Sequence, residues 1–153
     1  MGHHDRAEDI TQEVFIKLYK SISKYNTRQR FFTYLYKITV NTCFDHLKKN
    51  KNTQAESINA EKEHLINMTD ELRGNPHRNM EQKELERVIR QLVQRLGPQQ
   101  RAAFVLRDVE GLDTSEITEI LKCSRITVRS HLHFARKSLR EMIETEYPEL
   151  KES

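Results

Sequence analysis

Residues 111–139 read GLDTSEITEILKCSRITVRSHLHFARKSL, a short capped helix, a tight turn and a second helix with a basic exposed side. Asp113 is placed to cap the first helix, with Glu116 three residues on as its capping-box partner. Ile117, Ile120 and Leu121 then fall on one face at helical spacing and predict an inward side. In the second helix Val128, Leu132, Ala135 and Leu139 recur at steps of four, three and four. Ile126, Ser130, His133 and Lys137 are left on the opposite side, flanked by Thr127, Arg129, Phe134 and Arg136. Two helices in this arrangement make a helix-turn-helix, which points to duplex DNA. From Lys122 to Arg140 the basic residues are Lys122, Arg125, Arg129, Arg136, Lys137 and Arg140, and there is no Asp or Glu. A phosphate backbone meets no local repulsion there. The competing reading is the solvated face of an ordinary helical bundle, in which acids are normally interspersed.

The 153 residues, 36% apolar and 32% charged, allow one ordinary domain or two small ones of soluble helical protein. No stretch has the apolar length of a membrane span or a secretory segment, so no membrane insertion and a cytoplasmic location are expected. Cys43 and Cys123 read as free thiols of a reducing compartment. The scarcity of glycine, proline and alternating β-branched runs predicts an all-α fold. The net charge of +3 is unevenly spread. Residues 1–52 hold ten Lys or Arg against five Asp or Glu, hence +5; residues 53–80 hold three against five, hence −2; residues 81–153 hold thirteen against thirteen, hence 0. Between Val14 and Phe44 there is no acid, while Lys17, Lys20, Lys24, Arg28, Arg30 and Lys37 are present. A second nucleic-acid surface follows as the natural reading.

Two small helical domains joined by a linker are expected: residues 1–52, a linker over 53–80, a four-helix domain over 81–145 and a tail over 146–153. The first helix is predicted from about Arg6 to Ser23, its stripe formed by Ile10, Val14, Leu18 and Ile22 and widened by Phe15 and Tyr19. Glu8, Asp9 and Glu13 suit the positive end of that helix's dipole. After a loop from Lys24 to Arg30, a second helix from about Phe31 to Asn50 turns Leu35, Ile38 and Leu47 inward. The polar stretch that follows shows no sustained apolar period, with at most a helical turn around Ala60 to Ile66. Leu85, Val88, Ile89, Leu92, Val93 and Leu96 then make an amphipathic helix ended by Gly97-Pro98. Pro98 opens the next helix, which is expected to run to Gly111.

Three segments in this order resemble a bacterial RNA polymerase sigma factor of the extracytoplasmic-function (ECF) group. AEDITQEVFIKLYKSI (residues 7–22) resembles the helix by which the group's second domain grips polymerase. FFTYLYKITVNT (31–42) resembles its promoter-melting helix, and LGPQQRAAFVLRDVEGLDTSEITEILKCSRITVRSHLHFARKSL (96–139) its fourth domain. The resemblance implies that the N-terminal domain binds RNA polymerase core and opens the minus-ten element of promoter DNA. It implies that the C-terminal domain reads the minus-thirty-five element as duplex, and that an anti-sigma factor is a partner. Asp9, Gln12 and Glu13 match the family positions facing polymerase, where charge complementarity to a basic helix is the physical reason.

The residues themselves agree with the melting role. Phe31, Phe32, Tyr34, Tyr36 and Phe44 are interleaved with Arg28, Arg30, Lys37 and Asn41, a mixture of stacking planes, cations and an amide edge suited to unpaired bases. Several of these rings, Phe31 and Phe44 foremost, are equally suited to a core. Arg28, Arg30, Tyr34, Lys37 and Asn41 are the expected contacts, and the loop from Tyr25 to Arg30 could hold a flipped base at a cost of only a few kcal/mol. On the recognition helix the expected contacts are Arg125, Thr127, Arg129, Ser130, His133, Arg136 and Lys137. Arg129 is the candidate for a base edge, and Arg136 and Lys137 are candidates for phosphates.

Departures from the family pattern carry their own expectations. The chain begins four residues before Asp5, so the helix that the family places ahead of this one is expected to be absent. The stripe Ile10, Val14, Leu18 and Ile22 is then expected to be covered by another chain, by self-association, or by the C-terminal domain. By the resemblance, Tyr34 stands where Trp is common, and His131 and Phe134 where Arg is common, which implies a divergent minus-thirty-five sequence. Clustered carboxylates, an acid–base pair and a phosphate loop are lacking. His131 and His133 diverge by about 200° on their helix, so neither an enzyme nor a metal or other cofactor is expected. A helix-turn-helix regulator that never touches polymerase fits the C-terminal half equally well; the short basic aromatic helix pair at the N-terminus separates the two readings.

Overall fold

The computed structural model describes residues 3–53 and 80–151, and the chain divides into two compact units, residues 1–68 and 69–153. The expected linker and its helical turn at Ala60 to Ile66 lie outside the described residues.

The described residues of the N-terminal unit form a helix pair. Helix α1 (His3–Ser21) runs into one 3-10 turn (Ile22–Lys24), and α2 (Phe31–Thr53) packs against α1. Val14 is buried and Ile10 and Leu18 are half-buried, so these three residues of the foreseen stripe are covered by α2 of the same chain, whereas Ile22, the fourth, lies in the 3-10 turn and is exposed. Phe15 and Tyr19 do not widen it. Both are exposed, together with Ile16, because they lie about 100° or more round the helix from Val14. Polar groups complete the core: Thr42 is fully buried, its hydroxyl donates to the Ile38 carbonyl at 2.8 Å, and it accepts from Lys17 Nζ at 3.1 Å.

The C-terminal unit is built round a long last helix. Helix α3 (Met80–Val93) buries Val88, Leu92 and Val93, while Leu85, foreseen on the same face, is exposed. Arg101 closes the end of the chain segment after α3, its guanidinium donating to the Leu96 carbonyl at 3.1 Å. Gly97-Pro98 starts α4 (Pro98–Phe104). The expected run of regular helix to Gly111 instead widens into one π turn (Val105–Val109), closed by Glu110 N donating to Val105 O at 2.9 Å. Gly111 then takes a φ of +74°, open to glycine at little cost, and Leu112 N reaches back to Leu106 O at 2.9 Å. Leu106 and Leu112 both enter the core as a result.

Helices α5 (Thr114–Leu121) and α6 (Arg125–Glu146) form the helix-turn-helix. On α6 the foreseen face is the buried one: Val128 and Ala135 are fully covered and Leu132 and Leu139 nearly so, each large side chain contributing about 1.5–3 kcal/mol. The part of the expected tail that is described, to residue 151, is folded. A 3-10 turn (Pro148–Lys151) folds back on α6, and Tyr147 and Leu150 pack against the cluster of Val88, Leu92, Val93, Leu96, Ala135 and Leu139. No helix among the described residues is long and apolar enough to cross a membrane.

Candidate nucleic-acid interface

The turn between α5 and α6 is held from both sides. Asp113 Oδ1 accepts from Glu116 N at 2.8 Å while Glu116 Oε2 accepts from Asp113 N at 3.1 Å, a complete capping box. Lys122 ends α5 in the left-handed conformation at φ 53°, and Ser124 Oγ accepts from Thr127 N at 3.2 Å to start α6. Arg125 then donates to Ser115 Oγ at 2.6 Å and ties the first turn of α6 to α5. The entry of α6 is thereby fixed by the left-handed Lys122, the Ser124 cap and the Arg125–Ser115 bond.

Along α6, Arg125, Arg129, Ser130, His133, Arg136 and Lys137 are exposed and Thr127 is half-buried. The His133 ring meets that of Phe134 edge-on, centroids 5.4 Å apart. Besides Arg125, two more of the expected contacts are already occupied. The Thr127 hydroxyl lies 2.9 Å from Ser124 Oγ within the cap. Arg136 donates through Nε and an Nη to the two Asp108 oxygens at 2.9 and 2.7 Å, and these bonds raise its pKa above the ordinary arginine value. An acid absent from residues 122–140 therefore reaches the row from the π turn. Only the packing of α4 and its extension against α6 brings it there.

In the N-terminal unit the loop before α2 is an ordered turn. Asn26 Oδ1 accepts from Arg28 N at 3.0 Å, Asn26 O accepts from Gln29 N at 3.0 Å, and Tyr25 Oη donates to Gln29 O at 2.5 Å. Tyr25 sits among Phe31 (centroids 5.9 Å, edge-on) and Tyr34 (5.1 Å, tilted). Tyr34 Oη donates to Ser21 O at 3.2 Å, so this ring, foreseen as a base contact, is half-buried and fastens α2 to the end of α1. Phe31 is exposed rather than in the core, and Phe44 is half-buried. Phe32, one of the interleaved rings but not among the five expected contacts, is 67% exposed. Its place one residue after Phe31, about 100° round the helix, was the available signal. Arg28 and Arg30 are exposed beside these rings, and Lys37 and Asn41 follow Tyr34 on the same side of α2 at steps of three and four, half-buried.

The three α1 residues expected to meet polymerase separate. Asp9 and Gln12 are exposed. Glu13 is turned towards α2, its carboxylate taking His46 Nε2 of that helix at 2.6 Å and Lys17 Nζ of its own helix at 2.9 Å. These two hydrogen bonds, the His46 one foremost, hold its pKa down to about 2 from the ordinary 4.5. Beside Asp9 and Gln12 lie the exposed Phe15, Ile16 and Tyr19, the last 82% exposed. Cys43 and Cys123 are free thiols, both pushed up in pKa by burial. Among the described residues no group of His, Cys, Asp or Glu is placed to hold a metal ion.

A helix-turn-helix with a cationic second helix, on a chain that also carries a cationic aromatic loop and helix, has the make-up of a DNA-binding protein. The family description Sigma-70 region 2 matches residues 1–53 and Sigma-70, region 4 matches residues 86–139. The RNA polymerase sigma-H factor of Pseudomonas aeruginosa is 32% identical over 141 residues, covering 89% of this chain and 73% of that protein. The ECF RNA polymerase sigma-E factor of Haemophilus influenzae is 34% identical over 139 residues, covering 89% and 74%. A chain of the co-crystal structure of the sigma factor RpoE with the anti-sigma factor NepR from Bartonella quintana shares the fold at a TM-score of 0.70, with 18% identity, over 94% of this chain and 84% of that one. The chain belongs to the ECF RNA polymerase sigma factors, which direct transcription initiation.

Proposed function

We propose a division of labour between the two units. Helix α6 enters the major groove of the minus-thirty-five element, with Arg129, Ser130 and His133 at base edges and Lys137 on a phosphate; Arg125 lends charge at the first turn. Arg28 and Arg30, with Phe32 as the open stacking plane, hold melted minus-ten strand, and Lys37 and Asn41 lie along its path. Tyr34 positions the loop. The outer side of α1, with Asp9 and Gln12 flanking Phe15, Ile16 and Tyr19, docks on RNA polymerase core, and a second copy of the chain would compete for that strip. An anti-sigma factor acts by covering one of these surfaces. The chain works as a binding subunit in the cytoplasm, without catalysis or membrane insertion of its own.

The observation that carries this reading is the exposed face of α6, which carries no acid of its own from Arg125 to Arg140 and is set by caps on both sides of the turn. Run-off transcription with purified core tests it on two templates, closed duplex and one with a preformed minus-ten bubble. Arg129→Ala is expected to lose transcript on both, whereas Arg28→Ala and Arg30→Ala lose it on closed duplex and recover much of it on the bubble. Transcript appearing only after another sigma factor is added, or the reverse pattern of rescue, contradicts the proposal.

A further inference from the structure

Ile126 is the second residue of α6 and is 78% exposed. At 100° per residue, Ile126, Ser130, His133 and Lys137 form one exposed row, opposite the buried Val128, Leu132, Ala135 and Leu139. The isoleucine adds nothing to that core, and as a β-branched residue it is a poorer helix former than Ala, Lys or Glu. A lone exposed aliphatic side chain is ordinary on a protein surface. What distinguishes this one is its place, in the first turn of a recognition helix, where helix-turn-helix proteins meet base edges. Its two neighbours are engaged inside the unit, Arg125 with Ser115 Oγ at 2.6 Å and Thr127 with Ser124 Oγ at 2.9 Å. Ile126 is left as the outward side chain of that turn.

We infer that Ile126 is a specificity-determining residue that packs on the 5-methyl group of a thymine in the duplex element read by α6. The inference rests on the duplex-reading role proposed above. Thymine's methyl is the one apolar feature that base edges present in the major groove. A cytosine at the same place offers an N4 amino donor, which an isoleucine would strip of water and leave unpaired. The position therefore selects a T·A pair, through a contact of about one buried methyl group, equivalent to about a fourfold change in affinity.

The test uses the full chain bound to core polymerase and a duplex recovered by that complex from a randomised pool. Each thymine of the duplex is replaced singly by deoxyuridine, which removes only the methyl. The wild-type complex is expected to lose about fourfold in affinity at one thymine. Ile126→Ala is expected to lose a similar factor on the unmodified duplex and to be indifferent to the replacement at that thymine. Because the side chain is exposed, this variant keeps the fold, which its unfolding midpoint verifies. Uracil sensitivity absent in the wild type, or retained in Ile126→Ala, overturns the inference while leaving duplex reading by α6 intact. So does an Ile126→Ala defect seen only in binding to core. Failure of the wild-type complex to select any duplex overturns the duplex-reading role and the inference together.

Discussion

Asp108 neutralises one cation of the α6 row, because a guanidinium fork engaged by both carboxylate oxygens is not available to a phosphate. The pair is partly exposed, so it contributes no more than about 1 kcal/mol to folding; its effect falls on binding. Lys137→Ala is expected to reduce the slope of log affinity against log salt by about one, the loss of one phosphate contact. Arg136→Ala is expected to leave that slope nearly unchanged, and Asp108→Asn to steepen it by about one. Titrating duplex binding across salt reads all three, and equal losses for Arg136→Ala and Lys137→Ala would show that Arg136 reaches the phosphates. Glu13 gives a second prediction at this scale. Its carboxyl is expected to titrate near pH 2 by carbon-13 shift, and His46→Asn is expected to move the midpoint towards the ordinary value. Since the folded pKa is depressed, the stabilisation is present above the unfolded value of 4.5 and is lost as pH falls towards 2. The sequence places Glu13 near the positive end of α1, but the helix begins at His3 and Glu13 is its eleventh residue of 19, too deep for the dipole to account for it; the clasp by a second helix does.

The helix-turn-helix is legible at the scale of elements because its signals are short in range. Asp113 and Glu116, three residues apart, define the start of α5, and Ser124 defines the start of α6. Asp113→Ala is expected to cost about 1 kcal/mol, read as a lower urea midpoint for the C-terminal unit, with a fluorescent probe placed in that unit. No change in midpoint would mean that packing of Ile117 and Ile120 alone sets the start of α5. The π turn at Val105–Val109 left no such trace. An i to i+5 bond differs from an α-helical one by a single residue of register, and the residues in it have ordinary helical character. The folded-back turn at Pro148–Lys151 was equally silent, since Tyr147 and Leu150 find their apolar partners on α3 and α6 rather than along the chain.

At the scale of the molecule, the two units differ in how each is held. The C-terminal unit has a continuous apolar core from α3 to α6, whereas the described part of the N-terminal unit buries Val14 with Thr33 and Thr42 and leaves Phe15, Ile16, Tyr19 and Phe32 exposed. Amide hydrogen exchange is therefore expected to be slowest at Val128, Leu132 and Ala135, and faster by orders of magnitude in α1. Protection in α1 equal to that in α6 would show that burial within the unit does not set its stability. By itself the sequence determined the all-α class, the helix caps, the two acid-free cationic stretches and the family, because each follows from residues within about four positions of one another or from a pattern along the chain. Only the tertiary structure decided that α2 of the same chain covers the α1 stripe, that Tyr34 ties down a loop, that His46 clasps Glu13 and that Asp108 takes Arg136. Those last two pairs join residues 33 and 28 positions apart, and groups so separated acquire a distance only once their helices have packed.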